Sequence, residues 1–342
     1  MTDAALDRDL PAGSRLPALQ IGRLRIWPPV LQAPMAALTH PATRTIAERF
    51  GCGLAVTEFV PAAGLAAGAV RVRARMRPSH GGGPLAVQIY GREPRQMERA
   101  AAIAAEGGAA LVDLNLGCPS KRVSRGQCGA ALMREPALAA ELVRAVVEGV
   151  AGRAEVTVKL RAGWDATQRN APELAVLLVA AGAAAVTVHG RTREQRFGGA
   201  VDYELIAQVK AAVAVPVIAN GDIKDVPTLE HALRVSRADG AMIGRAAIGD
   251  PWLFARLKAW CEGLPPPRPP SARERIATYL EHCRLHLACC DDEGRAVQQM
   301  RTFAGRYLAP LDADLRLRPA INRLDRLEAI EAMLYQHCDA VG

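Results

Sequence analysis

The sequence has no long hydrophobic run, although half of its 342 residues are hydrophobic. No stretch approaches the roughly 20 uninterrupted apolar residues that a membrane-spanning helix needs, so we predict no membrane association. Residues 1–20 contain Asp3, Asp7, Arg8 and Asp9 but no apolar segment, and they resemble neither a secretory signal nor an acid-poor transit peptide. We expect these residues to form a flexible leader.

Regular cysteine spacing and a dinucleotide-binding glycine motif are also missing. The eight cysteines are irregularly spaced and follow no secretion signal, which favours reduced thiols in a cytoplasmic protein over a disulfide framework. No GxGxxG motif follows a predicted strand, so a separate Rossmann site for a nicotinamide cofactor is not indicated. His282, His286 and Cys289 share a face of a predicted helix, but no second pair of ligands completes a tetrahedral set, and we predict no metal site.

Acidic residues are too few to balance the basic ones. The net charge is +8, from 43 Lys and Arg against 35 Asp and Glu. The excess lies in residues 1–270, with 33 basic and 24 acidic residues, whereas residues 271–342 carry 10 and 11. Such an excess suits a polyanionic partner such as nucleic acid. A basic surface that only confers solubility is the alternative, and charge alone leaves both open.

Short apolar runs alternate with Ala-, Leu- and Arg-rich helical stretches through most of the chain. This alternation is typical of a parallel sheet, and proline recurs in the first helical turn, where its missing N–H costs nothing. Eight units in about 220 residues fit a closed (β/α)₈ TIM barrel better than an open doubly wound sheet. We therefore predict an α/β fold with a TIM barrel over residues 21–262. The apolar runs are 30–35, 54–60, 85–90, 111–116, 156–160, 185–189, 215–219 and 241–243.

The chain after the predicted barrel changes in composition. Residues 263–270 are rich in proline and are expected to form a stiff linker. Residues 271–342 favour helices, and we predict a small helical domain there. Arg295, Arg301 and Arg306 have near-helical spacing in this domain and are expected to extend a basic face.

A basic segment follows the second predicted strand, with alternating arginines at Arg71, Arg73, Arg75 and Arg77. Because it begins at the C-terminal end of a strand, we expect it to project over the mouth of the barrel. Four guanidinium groups at that position could neutralise phosphates. A solvated charged helix or ribbon is the alternative.

The fourth predicted strand ends in the residues DLNLGCP. Apolar and polar residues alternate from Val112 to Leu116, a strand pattern that Gly117 and Pro119 terminate. Cys118 therefore lies just beyond the C-terminal end of a strand, on the face where TIM barrels carry their active sites. A free cysteine is more often a small buried apolar residue, so a functional role depends on what the other strand ends carry.

Nearly every predicted strand ends in a hydrogen-bonding, charged or glycine residue. TIM barrels commonly bind phosphate after their last two strands, where this sequence has glycines for close approach and an arginine for bidentate contact. Lys159, and His189 when protonated, would add positive potential, while the amides of Gln88 and Asn115 suit a heterocycle edge. Flavin mononucleotide (FMN) matches such a pocket. The strand-end residues are Pro34, Met35, Ala36, Glu58, Gln88, Asn115, Cys118, Lys159, Arg161, His189, Arg191, Asn220, Gly221, Asp222, Gly244 and Arg245.

Eight short motifs lie at or near these strand ends. They are APMA at 33–36, TEF at 57–59, QIYG at 88–91, DLNLGCPSK at 113–121, VKLRAGW at 158–164, VHGRTREQ at 188–195, ANGDI at 219–223 and MIGRAA at 242–247. Together they resemble the tRNA-dihydrouridine synthases, in particular the bacterial B-type branch. The resemblance spans residues 21–262 and extends loosely into the helical tail. Ala37 and His40 stand where the family often has Gly and Asp, which affects the first loop rather than the flavin pocket.

The resemblance implies FMN-dependent reduction of the C5=C6 bond of a uridine in tRNA to 5,6-dihydrouridine, with NADPH as the electron source. Hydride from the reduced flavin would reach C6, and the thiol of Cys118, mostly protonated at neutral pH with a usual pKa of about 8.5, would supply the proton to C5. Lys159 would stabilise the reduced ring, and Asn115 would hold the pyrimidine edge with help from Arg161. FMN contacts are implied for Pro34, Met35, Ala36, Gln88, Lys159, His189, Asn220, Gly221, Asp222, Gly244 and Arg245.

The uridine would have to leave its stack to enter a barrel mouth, at a cost of roughly a few kcal/mol. We expect the barrel rim and residues 271–342 to bind the RNA backbone, in a monomeric cytoplasmic enzyme. One alternative is an FMN barrel acting on a free small molecule, like a dihydroorotate dehydrogenase or an ene-reductase, which needs neither the basic segment nor the tail. A non-catalytic RNA-binding barrel is the other, and Cys118 together with the phosphate-pocket residues argues against it.

Overall fold

An antiparallel hairpin of strands β1 (Leu19–Ile21) and β2 (Leu24–Ile26) precedes the main sheet. The computed structural model describes residues 10–341 except 12, 121–122, 124–125 and 312–315. Leu19 and Ile21 are buried against the first residues of several sheet strands, so the hairpin covers the N-terminal end of the sheet. Leu19 and Gln20 pair with Ile26 and Arg25 and so belong to a strand rather than to the predicted leader, of which residues 1–9 and 12 lie outside the described residues.

The main sheet is parallel and closes into a ring. Its second predicted strand is interrupted: Leu54–Ala55 pairs with the first strand, Val56 forms a bridge with Ala86, and Val60–Pro61 pairs with the third strand. The two halves of this strand therefore join the edges of the sheet, and the predicted (β/α)₈ TIM barrel is confirmed. Its strands are β3 (Val30–Gln32), β4 (Leu54–Ala55), β5 (Val60–Pro61), β6 (Ala86–Tyr90), β7 (Leu111–Leu116), β8 (Glu155–Arg161), β9 (Ala185–His189), β10 (Val217–Asn220) and β11 (Gly240–Ile243).

Helices cover the outside of the ring. They are α1 (Pro41–Arg49), α2 (Ala62–Ala66), α3 (Val70–Arg73), α4 (Pro94–Glu106), α5 (Pro136–Val150), α6 (Ala171–Ala180), α7 (Tyr203–Ala212), α8 (Val226–Ser236) and α9 (Trp252–Cys261). Alternation along β7 decides which side chains meet them. Val112, Leu114 and Leu116 pack in the core between strands and helices, whereas Asp113 and Asn115 lie on the opposite face, inside the barrel.

The predicted helices after the barrel are confirmed, and they have their own hydrophobic core. They are α10 (Ala272–Leu287), α11 (Glu293–Tyr307), α12 (Leu317–Ile321) and α13 (Leu327–Val341). Their domain packs on α1, where His282 Nε2 lies 3.1 Å from Thr43 Oγ1 and the rings of His40 and His286 lie 4.0 Å apart. In the described part of the chain, no helix combines the length and the apolarity that crossing a bilayer demands.

Candidate active site

A cavity of about 990 Å³ opens at the C-terminal ends of the barrel strands. It brings together every residue that the sequence predicted as catalytic, cofactor-binding or substrate-binding. Those residues are Pro34, Met35, Ala36, Gln88, Asn115, Cys118, Lys159, Arg161, His189, Asn220, Gly221, Asp222, Gly244 and Arg245. The roles of these residues remain predictions, since their common location establishes a site but not a ligand.

One end of the cavity has the features of an anion site. At Gly244 an added Cβ would meet no atom within 4 Å, so the backbone faces open space that a ligand could fill. Gly221 has φ +130 and an added Cβ would lie 2.8 Å from Val201, which together require glycine. Lys224, Arg245 and Arg306 line the same cavity and supply positive charge.

The carboxylate of Asp222 is paired within the protein. Arg191, whose side chain is only 3% exposed, donates to both of its carboxylate oxygens, and Arg245 lies 3.3 Å from Oδ1. The hydrogen bonds from Arg191 lower the pKa of Asp222, which therefore stays ionised. Its charge offsets Arg191, so the remaining cations leave this end of the cavity positive.

The middle of the cavity holds a buried lysine and a neutral histidine. Lys159 Nζ donates to Asn220 Oδ1 at 3.0 Å, and burial, followed by repulsion from Arg161, lowers its pKa from 10.5 to about 8. Burial and the neighbouring cations, Lys159 first among them, lower the pKa of His189 well below 6.5. His189 is therefore uncharged at neutral pH, and the positive potential expected of its protonated form does not apply there. The backbone N–H of Arg191 donates to its Nδ1 at 3.2 Å, which leaves Nε2–H as a neutral donor.

The loop of Cys118 is fixed by two of the predicted substrate ligands. Asn115 Oδ1 accepts from the backbone N–H of Gly117 at 3.1 Å and of Cys118 at 2.9 Å. Arg161 Nε donates to the carbonyl of Gly117 at 2.8 Å, and its Nη1 donates to two further carbonyls in the loop after β9. Both side chains thus stabilise the loop, and their contact with substrate stays a prediction. Burial raises the pKa of the Cys118 thiol, which is protonated at neutral pH.

The first loop accommodates the two departures from the family pattern. Ala37 has φ +59, a left-handed conformation that costs a non-glycine residue roughly 1–2 kcal/mol, so glycine would be favoured at this position. His40 is the N-cap of α1, where Asp is preferred, and its Nδ1 accepts from the backbone N–H of Thr43 at 3.4 Å. Pro34, Met35 and Ala36 nevertheless line the cavity.

Several cavity residues were missed by the sequence analysis. Phe197 lies in the loop after β9, is 52% exposed, and has the guanidinium carbons of Arg161 and Arg245 at 5.7 and 4.7 Å from its ring centroid. Phe59 and Arg306 also line the cavity. The TEF motif contained Phe59 and the spacing of the tail arginines included Arg306, but nothing indicated Phe197, because loop and interdomain contacts have no periodic pattern.

The arginines of the basic segment lie outside the cavity. Arg71, Arg73, Arg75 and Arg77 are all exposed, and Arg75 Nη1 lies 3.4 Å from the carbonyl oxygen of the cavity residue Phe59. Arg75 therefore lies beside the cavity, whereas Arg77 Nη1 donates to the carbonyl of Cys289 at 3.5 Å. Across the described ranges, no group of three or more His, Cys, Asp or Glu side chains could hold a metal ion.

The fold and the site together define a TIM-barrel enzyme with one large, cationic cavity at the catalytic face. Residues 31–338 match the family described as dihydrouridine synthase. The sequence is 39% identical over 326 residues to tRNA-dihydrouridine synthase B of Xanthomonas axonopodis pv. citri, covering 94% of this chain and 96% of that protein. It is 44% identical over 301 residues to a probable tRNA-dihydrouridine synthase of Rhodobacter capsulatus, covering 87% and 92%. The chain belongs to the dihydrouridine synthase family.

Solved structures share the barrel at much lower identity. A morphinone reductase variant in complex with tetrahydroNAD has a TM-score of 0.52 at 15% identity, over 72% of this chain and 91% of that one. A variant of NCR from Zymomonas mobilis has a TM-score of 0.51 at 16% identity, over 73% and 92%. These likenesses concern the fold alone.

Proposed function

We propose that the protein reduces the C5=C6 bond of a uridine in tRNA to 5,6-dihydrouridine, with FMN as its cofactor and NADPH as the electron source. The observation that carries this proposal is the meeting of a protonated thiol, Cys118, with a cationic, glycine-lined anion site in one cavity. Membership of the dihydrouridine synthase family supports the reaction and the tRNA substrate.

The donor set of the cavity fits FMN. Lys224, Arg245 and Arg306, with the open backbone at Gly244, suit a phosphate dianion. Lys159 suits a negatively charged ring. The Nε2–H of the neutral His189 can donate a hydrogen bond to a ligand without adding a positive charge. When bound, reduced FMN supplies a hydride for the electron-poor carbon of an unsaturated pyrimidine.

Cys118 is assigned the proton. Reduction of the C5=C6 bond leaves negative charge on C5 and the adjacent carbonyl, which a nearby acid must neutralise. A thiol whose pKa is raised by burial stays protonated at neutral pH and can donate from Sγ. Asn115 and Arg161 keep its loop in place through the backbone of Gly117 and of Cys118 itself.

The exposed charges around the cavity support an RNA substrate. The basic segment carries four exposed arginines, of which Arg75 lies beside the cavity residue Phe59, and a small substrate would need none of them. Of the tail arginines expected on a basic face, Arg301 donates to the carbonyl of Leu324 at 2.9 Å and therefore faces the interior of its own domain. Arg295 and Arg306 remain exposed.

A direct test uses the purified protein, NADPH and an unmodified tRNA transcript. We expect the protein to carry a flavin that is FMN on release, and to form dihydrouridine that mass spectrometry of nuclease digests detects as a gain of two hydrogens. Free uridine, orotate and a simple enone are the matched small-molecule substrates. FMN-loaded protein that leaves tRNA unchanged but reduces one of these would overturn the proposal in favour of a small-molecule oxidoreductase.

A further inference from the structure

A buried chain of side-chain hydrogen bonds runs beneath the cavity. Thr157 Oγ1 donates to Asp113 Oδ1 at 2.6 Å, and Gln88 Nε2 donates to Asp113 Oδ2 at 2.7 Å. Asn115 Nδ2 then donates to Gln88 Oε1 at 2.9 Å. The oxygen of the same Asn115 amide accepts from the backbone of the Cys118 loop, so the chain connects a carboxylate to the thiol-bearing loop.

The two ends of this chain have fixed hydrogen-bonding roles. An ionised carboxylate only accepts, and the backbone N–H groups of Gly117 and Cys118 only donate. The amides of Gln88 and Asn115 lie between these ends, and each can be satisfied in only one of its two orientations. Because Asp113 accepts from the amino group of Gln88, the oxygen of that amide points to Asn115. The amino group of Asn115 donates to this oxygen, and the Asn115 oxygen is then directed to the backbone of the loop.

Burying the carboxylate of Asp113 inside the barrel costs free energy. Its side chain is 3% exposed, and Gln88 and Thr157 are buried to a similar degree. A buried carboxylate costs several kcal/mol unless it is hydrogen-bonded, whereas an apolar side chain has no such desolvation cost of its own. Burial raises the pKa of Asp113, while the bonds from Thr157 and Gln88 act in the opposite direction and favour the ionised form.

We propose that Asp113 is a positioning residue for the thiol: it holds Gln88 and Asn115 in one orientation and so fixes the backbone of Cys118. The consequence for turnover rests on the function proposed above, whereas the consequence for the thiol does not. Asp113 itself does not contact the reacting atoms, since the amides of Gln88 and Asn115 separate it from the Cys118 loop.

Substitutions at Asp113 distinguish acceptor geometry from negative charge. In Asp113→Asn, the amide oxygen can still accept from Gln88 while its amino group donates to the hydroxyl of Thr157, so the orientation survives without the charge. In Asp113→Leu, the amino group of Gln88 loses its acceptor and both amides are released. Combining Asp113→Asn with Thr157→Val removes the acceptor of the new amino group. The new amide is then free to turn, and Gln88 is no longer held in one orientation.

The experiment measures alkylation of Cys118 by iodoacetamide, followed by mass spectrometry of its peptide, together with kcat and KM for tRNA reduction. Loss of hydrogen bonds worth about 1 kcal/mol corresponds to about a fivefold faster alkylation, which we expect for Asp113→Leu and for the Asn–Val double variant. We expect kcat to fall by about tenfold in both, with KM for tRNA changed by less than about twofold. Asp113→Asn should restore both readouts to within about threefold of the wild type at pH 6, where Lys159 is protonated.

Asp239→Leu is the matched control. Asp239 likewise accepts hydrogen bonds at the barrel, from the backbone N–H of Val217 at 2.7 Å and from Lys210, but it lies at the N-terminal end of the barrel. Its replacement should lower the melting temperature without changing the alkylation rate of Cys118. Equal damage from Asp113→Asn and Asp113→Leu would overturn the inference, as would unchanged alkylation in Asp113→Leu. If the wild type fails to reduce tRNA, the alkylation readout still decides the role of Asp113.

Discussion

The guanidinium of Arg306 donates from Nη1 to the backbone carbonyl of Arg245 at 2.8 Å. Arg306 lies on α11 of the helical domain, whereas Arg245 begins the turn after the last barrel strand. Both residues line the cavity. The helical domain therefore contributes directly to the end of the cavity that we assign to phosphate, in addition to any contact with RNA.

Replacing Arg306 with Gln should weaken FMN binding by about tenfold, the loss of one charge-assisted contact of about 1.4 kcal/mol. The measurement is titration of the flavin-free protein with FMN, followed by flavin fluorescence. Riboflavin, which lacks the phosphate, should bind the variant and the wild type equally. Arg295→Gln removes an exposed charge from the same helix and should leave FMN affinity unchanged. An equal loss of affinity for riboflavin would show that Arg306 acts on the ring end or on folding instead.

Cys118→Ala should retain FMN and lose tRNA reduction by about 10²–10⁴-fold, the usual contribution of a general acid. Flavin absorbance of the purified variant and dihydrouridine formation under saturating tRNA measure the two effects separately. Cys128→Ala is the control, because Cys128 lies in the segment that follows but its thiol donates to the carbonyl of Gly126 at 3.1 Å. Turnover by Cys118→Ala at the wild-type rate would contradict the assignment of the acid.

The sequence predicted the barrel and the strand-end residues of its cavity because both depend on periodicity. Alternation along β7 distinguishes Asp113 and Asn115 from their apolar neighbours, and each parallel strand delivers its last residues to the same face. The predicted run 156–160 became β8 at Glu155–Arg161, so strand position needed little correction. Such local patterns are enough to predict the residues of a site when the fold brings the ends of all strands to one face.

Features that depend on tertiary contacts could not be predicted in this way. The neutral state of His189 follows from burial and four nearby cations, and none of these distances is visible in a sequence. Arg161 and Arg301 are of a residue type that often binds anionic ligands, yet each donates to a backbone carbonyl of the protein. The cavity position of Phe197 depends on the course of the loop after β9, which no repeat or alternation specifies.

The affinity for FMN should decrease as the pH rises through about 8, the pKa to which burial lowers Lys159. Below this pH Lys159 is charged and attracts an anionic ligand; above it the neutral amine does not, and affinity falls by at most about tenfold per pH unit. Titrations of the flavin-free protein from pH 6.5 to pH 9.5 measure the effect. Lys159→Met should bind FMN more weakly at low pH and with a flatter profile. Identical profiles for the two proteins would contradict a charged Lys159.

Acid should loosen the contact between the barrel and the helical domain. Burial lowers the pKa of His282 from 6.5 to about 3, and it lowers the pKa of His40 and His286 as well. Because the folded state favours the neutral imidazoles, their contribution to stability is complete above about pH 6.5 and is lost as the pH falls towards the folded pKa. The melting temperature should therefore fall between about pH 6.5 and pH 4.

The histidine contribution can be isolated by substitution. His282→Gln keeps a polar side chain near Thr43 and Tyr307 but does not titrate, so its melting temperature should fall less over the same pH range. His80→Gln, at an exposed loop residue, should follow the wild type. A wild-type slope in His282→Gln would assign acid sensitivity to other groups.

Neutralising the four arginines of the basic segment should change the salt dependence of tRNA binding. Each phosphate contact contributes a slope of about −0.7 to −0.9 to log K against log salt, through release of counterions. Replacing Arg71, Arg73, Arg75 and Arg77 by Gln should make the slope shallower by about one to three units and weaken binding at low salt, where phosphate contacts matter most. Filter binding or fluorescence anisotropy over a salt series measures both quantities.

The matched control removes four charges from the opposite end of the barrel. Arg23, Arg25, Arg153 and Arg237 are exposed near the N-terminal ends of the strands, so their replacement lowers the net charge equally. If the RNA responded only to net charge, the two quadruple variants would shift binding alike. A docked RNA above the cavity mouth, where Arg75 lies beside Phe59, responds to the first set and not to the second. Equal slopes for the two variants would exclude the basic segment as an RNA contact and leave the helical domain as the place to look.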